Sequence, residues 1–92
     1  MIFVYILKSL KTDRYYVGNT SDLVRRLYEH NVGKTHSTKT GIPWELVYHE
    51  EFTSHKDAVA RELEIKSQKS RKFIERLISK RKPQLGERPD SM

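Results

Sequence analysis

Apolar residues near the start of the chain form two short runs that predict β-strands. Residues 2–7 are an unbroken apolar run rich in β-branched and aromatic side chains, which is typical of a strand buried on both faces. Residues 15–18 return to β-favouring types after a polar segment in which Asp13 suits a turn. The pattern therefore predicts a hairpin that brings Tyr5 and Tyr16 close together, in a register that the sequence leaves open.

The next segment has the pattern of an amphipathic helix. Residues 20–22 are types that favour helix N-caps, and Leu23 and Leu27 follow with the four-residue spacing of one helix face. Arg26 and His30 have the same spacing and lie beside this apolar stripe. An arginine and a histidine along the edge of a buried face, just after a tyrosine strand, predict one wall of an anion site.

Residues 31–43 show little hydrophobic periodicity and are rich in Gly, Ser, Thr and Lys, so we predict a loop that ends at Pro43. Lys34, Lys39 and the neighbouring hydroxyl groups suit contacts with phosphates. An ordinary solvated loop fits this composition equally well.

The second half of the chain predicts one more strand and two further helices. Residues 44–52 alternate so that four large apolar side chains share one face, broken only by Glu50. These side chains are Trp44, Leu46, Tyr48 and Phe52. One helix is expected from Ser54, which resembles an N-cap, to Lys66, and another is expected after Ser70.

The order ββαβαα contains no repeated strand–helix–strand unit long enough for a doubly wound sheet. It indicates an α+β fold in which a small three-stranded antiparallel sheet is flanked by about three helices. The length allows one domain, which we assign to residues 1–79. Residues 80–92 lack periodicity and contain two prolines and a glycine, so we expect a flexible tail.

Composition narrows the class of partner more than the class of fold. A net charge of +6, with 33% of residues charged, favours polyanionic partners such as nucleic acid. The absence of cysteine excludes disulfides and thiolate zinc sites and fits the cytoplasm. The apolar run at 2–7 is too short to span a bilayer and lacks a signal-peptide pattern. We therefore expect a soluble cytoplasmic protein that makes no membrane contact.

Glu62 is a carboxylate that the sequence places near a buried helix face. Helical spacing places it on one face with Ala58 and Ile65, and a carboxylate near a buried face is costly unless it is paired or binds a metal. The sequence leaves two interpretations open: a metal ligand, or an ion pair with one of three cations. These cations are Arg61, Lys66 and Arg26.

The candidate residues together contain the groups that phosphodiester hydrolysis requires. A guanidinium can grip the scissile phosphate, and a single carboxylate can hold a divalent cation that keeps most of its waters. A tyrosine or histidine can orient or deprotonate the attacking water. The chain has no phosphate-binding glycine loop, no Ser-His-Asp order and no paired zinc histidines, so other hydrolase classes lack support.

An ordered series of short motifs resembles the GIY-YIG nuclease superfamily. The motifs are Val4-Tyr5-Ile6, Tyr16-Val17-Gly18, Asp22-Leu23 followed by Arg26 and His30, and Arg61-Glu62 followed by Ile65-Lys66-Ser67 and Ser70-Arg71-Lys72. The last of these looks like the small single-domain bacterial branch, which is similar to the N-terminal domain of the excision-repair endonuclease of bacteria. The resemblance covers residues 1–79.

The resemblance implies a role for each matching residue and a three-stranded antiparallel sheet flanked by helices. Tyr5 and Tyr16 would lie close to the attacking water and the phosphate. Arg26 would contact the scissile phosphate, and His30 would assist proton transfer. Glu62 would be the sole acidic ligand of Mg²⁺ or Mn²⁺.

The chain departs from the family pattern in three places. The first motif reads Val-Tyr-Ile, so only its tyrosine is kept, whereas Gly18 would be the structural glycine of the second motif. Asn19 stands where an aromatic or small residue is more usual. Lys82 precedes Pro83 where many relatives have an asparagine.

The expected function is cleavage of DNA by an Mg²⁺-dependent endonuclease, and an unknown protein partner for targeting is compatible with it. One alternative is a basic nucleic-acid-binding module without catalysis, and another is a structural or interaction domain. Seven cations are candidates for contacts with nucleic acid. They are Arg25, Lys34, Lys39, Lys66, Lys69, Arg71 and Lys72.

Overall fold

A computed structural model describes residues 1–81, and its central feature is a three-stranded antiparallel sheet in the order β2-β1-β3. The strands are β1 (Ile2–Ser9), β2 (Tyr15–Thr20) and β3 (Trp44–Phe52). The helices are α1 (Leu23–Asn31), α2 (His55–Ser67), α3 (Arg71–Arg81) and a 3₁₀ helix (His36–Gly41). These elements confirm the predicted α+β fold. Among residues 1–81, none of the helices has the length and apolar character of a membrane span.

Strand β1, the middle strand of the sheet, has apolar side chains on both of its faces. Tyr5 and Leu7 face a layer that includes leucines of α1, whereas Val4 and Ile6 face a layer built by α2 and α3. All four side chains are at most 2% exposed, which confirms the predicted strand buried on both faces.

The β1–β2 hairpin fixes the register that the sequence left open. Tyr5 lies opposite Gly18 and Leu7 lies opposite Tyr16, so the two tyrosines share one face as diagonal neighbours. Asp13 has a φ of 67° in the turn, a conformation that aspartate tolerates better than most residues.

Strand β3 contradicts one prediction. A register shift after Ile6 pairs Ile6 with Tyr48 but Leu7 with Leu46, so Val47 is an extra residue in β3. Because side chains alternate along a strand, one extra residue transfers all that follows to the other face. The predicted single apolar face is therefore wrong. Trp44 and Leu46 pack beside Tyr5, whereas Tyr48 and Phe52 pack with the layer of α2 and α3.

The prediction of a loop across residues 31–43 is wrong for the 3₁₀ helix within it. Buried hydrogen bonds, not an apolar stripe, hold this short helix on the sheet. The Ser9 hydroxyl donates to the Gly41 carbonyl at 2.6 Å, and the Trp44 indole donates to the Thr38 carbonyl at 2.8 Å. Polar groups make both contacts, so hydrophobic periodicity carries no sign of them.

Helix α3 is attached to the hairpin through Arg71. Its guanidinium donates to the Asp13 carboxylate at 2.8 Å and lies 4.7 Å from the centre of the Tyr15 ring. The helix continues through Lys80 to Arg81, past the expected boundary of the domain. The remainder of the predicted tail, including Lys82 and Pro83, lies outside the described residues.

Asn31 joins the end of α1 to the start of β3. Its side-chain oxygen accepts from the Trp44 backbone N–H at 2.6 Å, and its amide nitrogen donates to the Trp44 carbonyl at 3.0 Å. The Asn31 side chain thereby pairs both backbone polar groups of Trp44, a residue that is only 8% exposed.

Replacing Asn31 with alanine is expected to lower the free energy of unfolding by about 2 kcal/mol, because two largely buried backbone groups lose their partners. Urea denaturation followed by circular dichroism measures the change. Asn31→Asp keeps the acceptor but loses the donor, so it is expected to fall between the alanine variant and the wild type. Equal stability of Asn31→Ala and the wild type would contradict this role of Asn31.

Candidate active site

The candidate site is built around the hydroxyl group of Tyr5. The Tyr5 side chain is 2% exposed, so its Oη atom lies within the protein and needs hydrogen-bond partners. Helix α1 supplies both partners from consecutive turns. His30 Nε2 lies 3.0 Å from Tyr5 Oη, and Arg26 Nε donates to the same oxygen at 3.3 Å. The predicted wall of arginine and histidine therefore covers the tyrosine strand.

The hydrogen bonds of Thr38 indicate which atoms of His30 and Tyr5 donate and which accept. Thr38 Oγ1 lies 3.3 Å from the Thr35 carbonyl, and we assign its hydrogen to that contact because a carbonyl can only accept. It must then accept from the N–H of His30 Nδ1, which lies 2.8 Å away. His30 Nε2 is left with its lone pair and accepts from the hydroxyl of Tyr5. Thr38 thus fixes the tautomer of His30, a role that was not predicted from the sequence.

Gly18 makes room for the Tyr5 hydroxyl. A Cβ at this position would lie 2.7 Å from Tyr5 Oη and 3.2 Å from Cε2 of Tyr16. The Tyr5 ring cannot move aside without breaking its bonds to α1. The glycine is therefore required for a close approach between side chain and backbone, and its φ is not in the left-handed region.

Burial and charge set the protonation states of the three bonded groups. Burial raises the pKa of Tyr5, and the hydrogen bond from Arg26 opposes this change. Burial, assisted by the positive charge of Arg26, lowers the pKa of His30 from 6.5 to about 4. The hydrogen bond to Tyr5 raises the pKa of Arg26. At neutral pH the site therefore holds a cationic arginine, a neutral phenol and a neutral imidazole.

Tyr16 completes the aromatic part of the site. Its ring centre lies 5.0 Å from that of His30 and 6.3 Å from that of Tyr5. The ring is partly exposed, and its hydroxyl makes no hydrogen bond within residues 1–81. Tyr16 is therefore the tyrosine that an incoming ligand can reach more easily.

Glu29 holds Arg26 in place from the solvent side. Its carboxylate pairs with Nη1 of Arg26 at 3.0 Å and with Nε of Arg25 at 3.2 Å, and both arginines lower its pKa. Helical spacing permits both pairings, since Glu29 lies four positions after Arg25 and three after Arg26. In the structure Glu29 also orients the guanidinium above Tyr5.

Glu62 lies on α2, and its side chain is 13% exposed. One oxygen accepts from the Asn19 amide at 2.5 Å, and the other pairs with Lys66 Nζ at 2.6 Å. Its charge contributes to the raised pKa of Tyr5, which places it within electrostatic reach of the site. Asn19, noticed in the sequence only as a departure, therefore orients this carboxylate.

The donor set around Glu62 fits a hydrated divalent ion better than an ion enclosed by protein. Within the described part of the chain, no group of three or more Asp, Glu, His or Cys side chains could hold a metal. Mg²⁺ commonly keeps several waters and takes only one or two carboxylates. Lys66 is 48% exposed in its side chain and can leave Glu62 when a cation arrives.

Some of the predicted nucleic-acid-binding cations form ion pairs within the protein, and others do not. Arg25 and Lys66 form ion pairs, and Arg71 binds Asp13 and Glu75. The remaining four are exposed and form no ion pair within residues 1–81. They are Lys34, Lys39, Lys69 and Lys72.

A sequence profile described as the GIY-YIG catalytic domain matches residues 1–75. The chain therefore belongs to the GIY-YIG family, the nuclease family that its motif series resembles. The matched region contains every residue of the site described above.

Relatives with high similarity are small UPF0213 proteins, a designation that states no activity. One from Staphylococcus haemolyticus is 43% identical over 77 residues, covering 79% of this chain and 93% of that protein. One from Natronomonas pharaonis is 41% identical over 78 residues, covering 84% and 89%. The solution NMR structure of a UPF0213 protein from Bacillus halodurans matches with a TM-score of 0.56 and 36% identity over 88% and 86% of the two chains.

The buried neutral state of His30 predicts a pH dependence of stability. Between pH 6.5 and about 4, the unfolded chain binds a proton at this position that the folded chain excludes. The free energy of unfolding should therefore fall as the pH is lowered through this range, with up to about 3 kcal/mol attributable to His30. Urea denaturation at several pH values measures the slope.

In His30→Gln the slope over the same pH range is expected to be smaller, because the titrating group is absent. His36→Gln removes an exposed histidine of the 3₁₀ helix and serves as the control, with the slope of the wild type. Identical slopes in the wild type and His30→Gln would show that His30 is not held neutral by the fold.

Proposed function

We propose that this chain is an endonuclease that hydrolyses DNA phosphodiester bonds with the help of Mg²⁺ or Mn²⁺. The observation that carries the proposal is the directed chain from Arg26 through Tyr5 to His30, with bond lengths of 3.3 Å and 3.0 Å. It supplies a cation and a proton acceptor on either side of one phenol. The family assignment supports a nuclease in general, and the metal and the individual roles are our inference.

In the proposed reaction Arg26 binds the scissile phosphate and stabilises its developing negative charge. Nη1 of Arg26 is held by Glu29 and Nε by Tyr5, which leaves Nη2 without a partner within residues 1–81. A guanidinium held at two of its nitrogens is preorganised, so little reorganisation is needed when charge develops.

Proton transfer follows the direction of the hydrogen bonds. As the water attacks, its proton passes to Tyr5 Oη while the phenolic proton passes to Nε2 of His30, which already accepts it. The imidazolium formed keeps its hydrogen bond to Thr38. Tyr16, with its partly exposed ring, borders the water and the phosphate.

Glu62 would hold the divalent ion, with Asn19 fixing one carboxylate oxygen. When bound, the ion would neutralise charge on the phosphate and on the leaving oxygen. The net charge of +6 supports a polyanionic substrate and its rapid association.

One observation favours a second candidate, a nucleic-acid-binding module without catalysis. The ammonium of Lys66 lies 2.6 Å from Glu62 and neutralises the carboxylate proposed for the metal. In such a module Lys66 is a permanent partner of Glu62, and the basic surface binds phosphates without cutting them.

Cleavage of labelled DNA structures in Mg²⁺ separates the two functions. Glu62→Gln and Arg26→Ala are each expected to reduce the rate by about 100-fold or more, the usual effect of losing one group that stabilises the transition state. Glu64→Gln removes a carboxylate from the same helix, and Arg76→Ala removes an exposed arginine of α3.

Both control variants should retain most of the cleavage rate, because neither residue touches Tyr5 or Asn19. If the wild type binds DNA with a steep salt dependence but cuts no structure in Mg²⁺ or Mn²⁺, the binding module is the correct function. RNA substrates in the same panel test the preference for DNA.

Lys66→Met is expected to tighten the binding of Mn²⁺ by about two- to fivefold, because the ammonium no longer competes for a partly exposed carboxylate. Electron paramagnetic resonance of free Mn²⁺ measures this affinity without reference to cleavage. Lys69→Met removes the same charge from a lysine without an ion pair in the described residues, and it should cause a smaller change. Equal changes in both variants would mean that Lys66 does not compete with the metal.

A further inference from the structure

A second cleft lies next to the candidate site, between the β1–β2 hairpin and the 3₁₀ helix. Its volume is about 240 Å³. The residues of its lining that matter most are Thr12, Arg14, Tyr16, Ser37, Thr40 and Trp44. Tyr16 lines both the cleft and the candidate site, because its ring centre lies 5.0 Å from that of His30 and 6.3 Å from that of Trp44. The cleft therefore continues from the candidate site along the tyrosine strand.

The mouth of the cleft offers hydrogen-bond donors that the protein does not use. Arg14 is exposed, and its guanidinium makes no ion pair within residues 1–81. The hydroxyls of Tyr16, Ser37 and Thr40 likewise make no hydrogen bond there. No carboxylate is among the described residues that line the cleft. A recess with unpaired donors and a cation, but no acid, has the character of an anion site.

The floor of the cleft is fixed in place, which distinguishes it from a surface loop. The indole of Trp44 donates to the Thr38 carbonyl at 2.8 Å, and the Ser9 hydroxyl donates to the Gly41 carbonyl at 2.6 Å. A Cβ on Gly41 would overlap the Trp44 ring, so this helix lies directly against the indole. The donors at the mouth of the cleft therefore lie on a surface that is already formed before a ligand binds.

We propose that this cleft binds the sugar–phosphate unit of a nucleotide one or two positions from the scissile phosphate. Arginine, serine, threonine and tyrosine are the side chains that usually contact phosphate and sugar oxygens in nucleic-acid complexes. The volume is below the range of about 300–1,000 Å³ typical of pockets that enclose drug-sized ligands. This inference rests on the proposed function, since it assumes that the scissile phosphate lies at Arg26.

Trp44 provides a direct test, because it is the single tryptophan of the chain and lines the cleft. A short oligothymidylate is titrated into the full-length chain with EDTA present, so that no metal-dependent cleavage can occur. Trp44 emission reports occupancy of the cleft, and fluorescence anisotropy of a labelled copy reports total binding. The same oligonucleotide with uncharged methylphosphonate linkages tests whether charge is required.

Arg14→Ala is expected to weaken the Trp44-detected binding by about five- to tenfold, as for the loss of a charged hydrogen bond. Lys11→Ala removes one positive charge from the same hairpin without touching the cleft, so it should weaken binding by less than about twofold. The methylphosphonate probe should leave Trp44 emission unchanged. Equal effects of the two substitutions, or anisotropy changes without any change in emission, would overturn the subsite.

The test separates this inference from the proposed nuclease. If Trp44-detected binding depends on Arg14 but the chain cuts nothing, the subsite stands and the nuclease fails. If the chain cuts DNA while Arg14→Ala binds and cuts as the wild type does, the nuclease stands and the subsite fails.

Discussion

The hydroxyl group of Tyr5 imposes the constraint that the surrounding structure satisfies. It lies on the central strand, away from water, where an unpaired hydroxyl would cost about 1–3 kcal/mol. His30 and Arg26 of α1 supply its partners, Gly18 of β2 leaves the space, and Thr38 of the 3₁₀ helix holds His30. Three elements therefore meet at one oxygen, a fourth supports it through His30, and the residues proposed for catalysis also keep the core together.

The parts of this arrangement that could be predicted from the sequence are those that depend on local spacing. The apolar run at 2–7, the turn at Asp13 and the helical spacing of Arg26 and His30 each have a signal within a few residues. Since a short antiparallel hairpin places its strands side by side, the proximity of Tyr5 and Tyr16 followed as well. Helical spacing also placed Glu62 on one face with Ala58 and Ile65.

The parts that could not be predicted depend on polar partners that no regular spacing in the sequence connects. Nothing near Asn19 indicates that its amide binds a carboxylate 43 positions later. Thr38 lies in a segment without periodicity, and only the fold brings it to His30. The shift in β3 has no local signal either, because Glu50 shares a face with Tyr48 and Phe52 in both registers; it is bound by Arg61 at 2.9 Å and 3.0 Å.

The extra residue in β3 divides this strand into two independent halves. The first half, with Trp44 and Leu46, serves the layer of Tyr5 and α1, and the second, with Tyr48 and Phe52, serves the layer of α2 and α3. A substitution in one half that keeps the length of the strand therefore alters one layer of the core and leaves the other in place. Loss or gain of one residue at the bulge would instead turn one half of the strand over and present its polar side chains to the core, so the length of β3 constrains the fold as strictly as its apolar side chains do.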